Sequence, residues 1–387
     1  MKKRNQPPGP PANPHQQDEW EKVYNNNFFF FINVLRALRK AQKTIQIDTY
    51  IFQNDRLGQL FLRELDKAAQ RGIHVYLTLD GLGSYNLVNS NQVLDLRPNI
   101  QVRVYNLLPW PFFKFLFFVP GSSLQKLLYY LKHVNRRNHK KIIMIDKCIA
   151  FLGSHNIFLQ ALKWRECSVQ LQEPAVLADI EAILVWSWQK AGSPNNQKLF
   201  FKTNPELVSH TLYFSLHSQT RRTLLKSLKK RLKTAVNKIQ ITTPYFMPPL
   251  SLVNKLNQAA KRGVLVEVII SKRTDTFLFP RISRTLYKTL LAAGVKIYEY
   301  QGNILHAKQI CIDNWTIVGS SNMNPRSLLR DLELDYCIQR PENAQKMSDM
   351  FEKDKLKSEQ IQFSNLKNSY WHLFTSYLIG KILSGWL

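Results

Sequence analysis

The chain repeats itself, and the repeat limits what it can fold into. Residues 41–52 read AQKTIQIDTYIF and residues 235–246 read AVNKIQITTPYF. AAQRGIHV from Ala68 is matched by AAKRGVLV from Ala259, and NIQVRVYN from Asn99 by GVKIYEYQ from Gly294. In each half a basic amphipathic helix leads into a β-rich run, a second helix ends at Arg-Gly, and another apolar strand follows. Helices alternating with short apolar strands imply crossover connections and a mostly parallel or mixed sheet. The sequence therefore predicts an α/β protein of two duplicated lobes, 18–203 and 204–360, each a mixed sheet flanked by helices.

The spacing between matched positions locates an insertion. It is 194 between Ile45 and Ile239 and 191 between Arg71 and Arg262, but 167 between His139 and His306. The first half thus carries about 24 extra residues, placed between Asn106 and Asn138. That stretch, LLPWPFFKFLFFVPGSSLQKLLYYL, is aromatic, broken by Pro109, Pro111 and Pro120, and followed by the basic KHVNRRNHKK. Proline breaks and Lys114 argue against a spanning helix. Either it contacts a membrane or acyl chains, or it is a core hairpin between lobes. Residues 361–387 place Trp371, Phe374, Tyr377, Leu378, Ile382 and Trp386 near helical spacing, with Lys381 able to snorkel. They are expected to be an amphipathic membrane-associating segment, with a docked core helix as the alternative. Residues 1–17 are expected to be a flexible basic tail rather than a signal peptide, and no apolar run is long enough for a confident membrane span.

Both halves also carry HxKxxxxD: His139, Lys141 and Asp146, then His306, Lys308 and Asp313. On a strand, residues two apart share a face, so each imidazole stands beside an ammonium. A polar element follows each: Ser154, Asn156 and Glu166 in the first half, Ser320, Asn322, Ser327 and Glu333 in the second. A lone match is weak evidence, but two matches at equivalent places in a repeat argue against coincidence. Displacement at a phosphodiester needs a nucleophile, an acid for the leaving oxygen, and cations around the non-bridging oxygens. Histidine titrates near neutrality and can be nucleophile or acid, lysine and asparagine can hold the oxygens, and a carboxylate can fix each imidazole tautomer. No metal-site motif and no phosphate-binding GxxxxGK[ST] loop occurs in the sequence, so neither metal nor cofactor is expected. The four cysteines form no CxxC pair and are expected as free thiols.

These residues resemble the signature of the phospholipase D superfamily, over nearly all of 30–340. TIQIDTYIFQNDRLGQLF and KAAQRGIHVYLTLDGLGS in the first half, with ITTPYFMPP and GSSNMNPRSLLRDLELDYCI in the second, are similar to the bacterial cardiolipin synthases. The resemblance implies one site between two facing lobes and a covalent phosphatidyl-histidine intermediate. His139 and His306 would be nucleophile and general acid. Lys141, Lys308, Asn156 and Asn322 would bind phosphate with Ser154 and Ser320 beside them. Asp146, Asp313, Glu166 and Glu333 would orient the imidazoles. The implied reaction moves a phosphatidyl group to phosphatidylglycerol from a second phosphatidylglycerol or from phosphatidylethanolamine. In the first half Ala161 departs from the pattern, standing where Ser327 predicts a serine. The sequence shows no counterpart of the two amino-terminal transmembrane helices of longer synthases, so the shorter, peripheral kind at the cytoplasmic face of a bacterial inner membrane is expected.

Charge fits that partner. Lys and Arg total 54 against 27 for Asp and Glu, a formal net charge of +27, which favours a polyanionic surface. The rivals are a hydrolytic phospholipase D with water as acceptor, a nuclease or phosphodiesterase of the superfamily, and a membrane-binding module without activity. The aromatic insert and amphipathic tail count against nucleic acid as the partner, and the two intact motifs count against a module without chemistry.

Overall fold

The computed structural model describes residues 20–90, 96–106, 136–192, 209–216, 220, 222–274 and 279–366. The amino-terminal tail, nearly all of the insert and all but the first few residues of the carboxy-terminal segment lie outside them. The two halves build two sheets. The first contains β1 (Glu21–Tyr24), β2 (Thr44–Thr49), β3 (His74–Asp80), β4 (Ile100–Tyr105), β5 (Lys141–Ile145), β6 (Ile149–Gly153) and β7 (Ser168–Leu171), in the order β1-β7-β6-β5-β2-β3-β4. The second contains β8 (Leu212–Phe214), β9 (Lys238–Thr243), β10 (Leu265–Ser271), β11 (Lys296–Tyr300), β12 (Gln309–Ile312), β13 (Trp315–Gly319), β14 (Leu334–Cys337) and β15 (Ser358–Gln360). Its order, β8-β14-β13-β12-β9-β10-β11-β15, repeats the first and adds one edge strand. In both, three strands run parallel and the others antiparallel, so the sheets are mixed.

The repeated Arg-Gly has a local reason. Helix α1 (Asn27–Lys40) precedes β2, and α2 (Arg56–Gln70) connects β2 to β3. Arg71 reaches back from the end of α2 and donates to Leu38 O and Ala41 O, carbonyls at the end of α1. Gly72 then takes φ +88° to leave the helix. In the second half α5 (Thr223–Thr234) and α6 (Leu250–Lys261) are joined in the same way, through Arg262 to Leu232 O and Ala235 O and Gly263 at φ +90°. The remaining helices are α3 (Tyr85–Asn89), α4 (Pro174–Lys190), α7 (Phe279–Ala292), α8 (Pro325–Leu329) and α9 (Pro341–Leu356).

Apolar residues on both faces of the central strands account for the way the lobes join. In β5, Ile143 and Ile145 enter the first lobe's own core under α1 and α2, while Ile142 and Met144 enter a second core. In β12, Ile310 and Ile312 face the second lobe's core and Cys311 faces the shared one. That shared core joins Leu152, Val169 and Ile180 to Val318, Leu334, Tyr336 and Phe351. The sheets therefore meet face to face across an apolar layer, and strands buried on both faces read as continuous apolar runs. Glu21, fully buried, closes the same seam by accepting hydrogen bonds from Tyr336 Oη at 2.7 Å, Gln339 N at 2.8 Å and Asn343 Nδ2 at 2.9 Å. Among the described residues no helix is long and apolar enough to cross a membrane.

Candidate active site

Each histidine lies in an extended arm just ahead of its strand, with Lys141 opening β5 and Lys308 one residue short of β12, and each arm is held by the opposite lobe. Asn138 bridges to Leu332, and His139 N donates to Leu332 O at 2.9 Å. Leu305 bridges to Arg165, and His306 N donates to Arg165 O at 2.8 Å. Arg165 and Leu332 immediately precede Glu166 and Glu333, so this exchange delivers each glutamate to the other lobe's histidine. His139 Nδ1 lies 3.1 Å from both carboxylate oxygens of Glu333. His306 Nδ1 lies 2.8 and 2.9 Å from those of Glu166. An Nδ1–H tautomer donated to a carboxylate leaves the Nε2 lone pair of each ring for chemistry.

The lysines close over the same point. Lys308 Nζ lies 3.1 Å from His306 Nε2 and donates to His306 O at 2.8 Å. Lys141 Nζ donates to His139 O and lies 5.2 Å from the centre of the Tyr50 ring. Asn156 and Asn322 are buried, and Asn156 Nδ2 and Asn322 Oδ1 have no hydrogen-bond partner among the described residues. The Gly-Ser elements need their glycines for room: a Cβ on Gly153 would lie 2.2 Å from Ser168 Oγ, and one on Gly319 2.2 Å from Asp335 Oδ1.

The two serines differ in what they hold. Ser320 Oγ and Ser327 Oγ donate to the two oxygens of Glu333, and Ser327 Oγ accepts from Asn322 N at 2.7 Å. In the first lobe Ser154 pairs instead with the backbone of Cys167, and Ala161 offers no hydroxyl. Glu166 accordingly takes its carboxylate hydrogen bonds from His306 alone among the described residues. The electrostatics run against this difference, because the neighbouring charges outweigh the serines. Burial pushes Glu333 up to about 7, against the pull of Lys141 and the two serines. Burial acts on Glu166 too, but His306, then His155 and Lys308, outweigh it and hold the carboxyl at about 2. Burial, then the charges of Lys141, Lys308 and His306, hold His139 well below the ordinary imidazole value. His306 is lowered by burial, with Glu166 opposing. Burial, followed by Lys308, brings Lys141 down to about 7.

The motif aspartates stand elsewhere, which corrects the expectation that they orient the imidazoles. Asp146 follows β5 at φ +51° and accepts from Gln42 N, Lys43 N and Thr44 N at 2.7–2.9 Å. Asp313 follows β12 at φ +48° and accepts from Val236 N, Asn237 N and Lys238 N at 2.9–3.1 Å. Seven extended residues put each roughly 20 Å from its histidine. Their work is to fasten the turn to the entry of the neighbouring antiparallel strand, β2 or β9. Asp146→Ala or Asp313→Ala should therefore cost about 1–3 kcal/mol of stability, while kcat of the folded enzyme stays within about twofold. Thermal unfolding beside activity normalised to folded protein checks this, and a loss of activity without a loss of stability would return these carboxylates to the chemistry.

Several neighbours carried no motif signal. The Tyr50 ring centroid is 4.9 Å from that of His139, and Trp164 is 5.1 Å from His306. Tyr50 directly follows the repeated strand β2 and Trp164 stands two residues before Glu166, which is where a signal could have been sought. The charge of Arg326, paired to Asp331 at 2.9 Å, also acts on His139. His155, inside the Gly-Ser element, is a core residue: it stacks on Phe30 at 4.0 Å and hydrogen-bonds Ser168 and Asn27.

Known proteins share this arrangement in sequence and in fold. The family model described as cardiolipin synthase, PLD-like domain, matches residues 34–188 and 228–355, one HxKxxxxD in each segment. A cardiolipin synthase of Halalkalibacterium halodurans is 30% identical over 366 residues, spanning 91% of this chain and 69% of that protein. Cardiolipin synthase B of Salmonella typhi is 27% identical over 389 residues, spanning 95% of this chain and 89% of the relative. The crystal structure of a phosphatidylserine synthase from Haemophilus influenzae superposes with a TM-score of 0.67 at 14% identity, over 95% of this chain and 94% of the other, a likeness of fold. On the strength of the family match across both lobes, this chain belongs to the cardiolipin synthase family of PLD-like domain proteins.

Proposed function

We propose that the protein is a phosphatidyltransferase that makes cardiolipin through a phosphohistidine intermediate, with phosphatidylglycerol as acceptor. The observation that carries this reading is the crossed pairing of two buried histidines with two glutamates, beside two lysines that can hold a phosphate. His139 Nε2 attacks the phosphorus of the donor phospholipid, and the bond from phosphorus to the headgroup oxygen breaks. His306 gives its Nε2 proton to the departing alkoxide. The vacated headgroup position then takes the acceptor. The neutral His306 removes the proton of its primary hydroxyl, the oxygen attacks phosphorus, and the phosphorus–nitrogen bond breaks to restore His139. With phosphatidylglycerol as donor the products are cardiolipin and glycerol.

Lys141, Lys308, Asn156 and Asn322 supply charge and dipoles to the non-bridging oxygens as the phosphorus becomes five-coordinate. Lys308 Nζ and His306 Nε2 compete for one proton at 3.1 Å. A phosphate oxygen arriving there would draw the ammonium away and favour a protonated His306, the form the first step needs. Membrane contact through the net positive charge, the insert and the carboxy-terminal segment, at the cytoplasmic face of a bacterial inner membrane, completes the reading.

The test is incubation of the purified protein with phosphatidylglycerol vesicles, with products resolved by mass spectrometry. Cardiolipin and glycerol are expected, both absent with His139→Ala. Phosphatidic acid as the sole product would make the protein a hydrolase and overturn the transfer reading.

A further inference from the structure

The core-facing stripe of α1 is Phe30, Phe31, Val34, Leu35 and Leu38, all buried at helical spacing. Phe28 and Phe29 lie off that stripe and stay 64% and 58% exposed, their rings edge to face at 5.9 Å. They are not isolated. Asn27, next to them, sends its amide to the carbonyls of Ala161 at 2.7 Å, Leu162 at 3.2 Å and Trp164 at 2.6 Å. This clamps the start of α1 against the 3-10 turn Leu159–Lys163, where Leu159 and Leu162 are 40% and 38% exposed. The next residue after that turn is Trp164, whose ring is 5.1 Å from His306. Four exposed apolar side chains thus surround an element whose following residue touches a catalytic histidine.

We propose that Phe28, Phe29, Leu159 and Leu162 form a rim that enters the apolar edge of an anionic phospholipid bilayer and sets the mouth of the site at the headgroup level. This rests on the phosphatidyl-transfer reading. It adds an element that neither the aromatic insert nor the carboxy-terminal segment supplies. Charge selects the occupant. Lys163 and Arg56 are exposed beside the rim. Asp55, the acid at this edge, spends its carboxylate on Leu57 N, Gly58 N and Leu159 N. A patch of large apolar side chains with exposed cations beside it, on a chain of net charge +27, suits an anionic lipid surface.

The full chain would be sedimented with vesicles of phosphatidylglycerol and phosphatidylcholine at fixed salt, comparing wild type with Phe28→Ser/Phe29→Ser and with Leu159→Ser/Leu162→Ser. A Val236→Ser variant serves as control. Val236 is 73% exposed but sits beside the Asp313 turn, at the far end of the strand from His306. The rim variants should bind vesicles at least tenfold more weakly and turn over vesicle phosphatidylglycerol correspondingly more slowly. Their turnover of a monomeric short-chain phosphatidylglycerol should stay within twofold, with unchanged thermal unfolding, and Val236→Ser should match wild type throughout.

Unchanged vesicle affinity in the rim variants overturns the proposal, and so does an equal loss in Val236→Ser. A parallel fall with the short-chain lipid, or a lowered unfolding temperature, would show the rim packing against protein and overturn it too. Rim-dependent binding by a protein that turns over no phospholipid would keep the surface and defeat the activity reading instead.

Discussion

A His306→Asn variant should lose about 100- to 10,000-fold in turnover of phosphatidylglycerol, and most of the loss should vanish when the leaving group is p-nitrophenol. The two histidines are built alike and burial lowers both, but their glutamate partners differ. His139 stands in a buried place beside Lys141, Lys308 and His306, whose charges act with burial to keep its imidazole neutral. Its partner Glu333 is pushed up to about 7 by the same burial. A neutral ring with its Nδ1 proton toward a carboxylate is a ready nucleophile. His306 is paired at 2.8 Å with a carboxyl held at about 2, an ionised partner that supports the protonated ring. An acid is dispensable for a leaving group that departs as a stable phenolate, whereas a nucleophile is not. His139→Asn should therefore be inactive toward both substrates, and His306→Asn should still release a burst of p-nitrophenol. The opposite pattern, with rescue in the His139 variant alone, would exchange the two roles.

The sequence carried the architecture because duplication wrote it twice. The Arg-Gly that ends α2 and α6 serves one carbonyl-capping geometry in both halves, so its repetition marked equivalent helices. The apolar runs at 141–145 and 309–312 marked strands buried on both faces. What the motif spacing could not convey was direction and partnership. In HxKxxxxD the aspartate is close in sequence but lies beyond an extended strand, so proximity along the chain meant distance in space. The carboxylates that meet the imidazoles come from the other lobe, 194 positions away for Glu333 and 140 for Glu166. That pairing depends on how two sheets pack, which no local pattern records. The exposed Phe28 and Phe29 were hidden for a related reason. A run of four phenylalanines looks like core until the helix phase shows that two suffice.

Glu333→Gln should lower transfer by about 10,000-fold, on the scale seen when a histidine-orienting carboxylate becomes an amide in a serine protease. The volume is nearly unchanged, so the effect isolates the hydrogen bond. Ser320 and Ser327 already donate to the two carboxylate oxygens, and both oxygens lie 3.1 Å from His139 Nδ1. A glutamine must place its NH2 at one of these positions. Placed toward the ring, it donates to Nδ1 and stabilises the Nε2–H tautomer, which has no lone pair to offer phosphorus. Placed toward a serine, it forces that hydroxyl to reverse, breaking the link from Asn322 N through Ser327 to the carboxylate. Ser327→Ala removes one hydroxyl while keeping the carboxylate, and the first lobe carries Ala161 at that place. It should cost about tenfold or less. Glu333→Asp should recover part of what Glu333→Gln loses, since a carboxylate can still accept from Nδ1–H. Single-turnover release of the donor headgroup is the measurement, because it reports formation of the covalent intermediate. A Glu333→Gln enzyme within tenfold of wild type in that step would mean that the glutamate serves packing and that His139 finds its tautomer unaided.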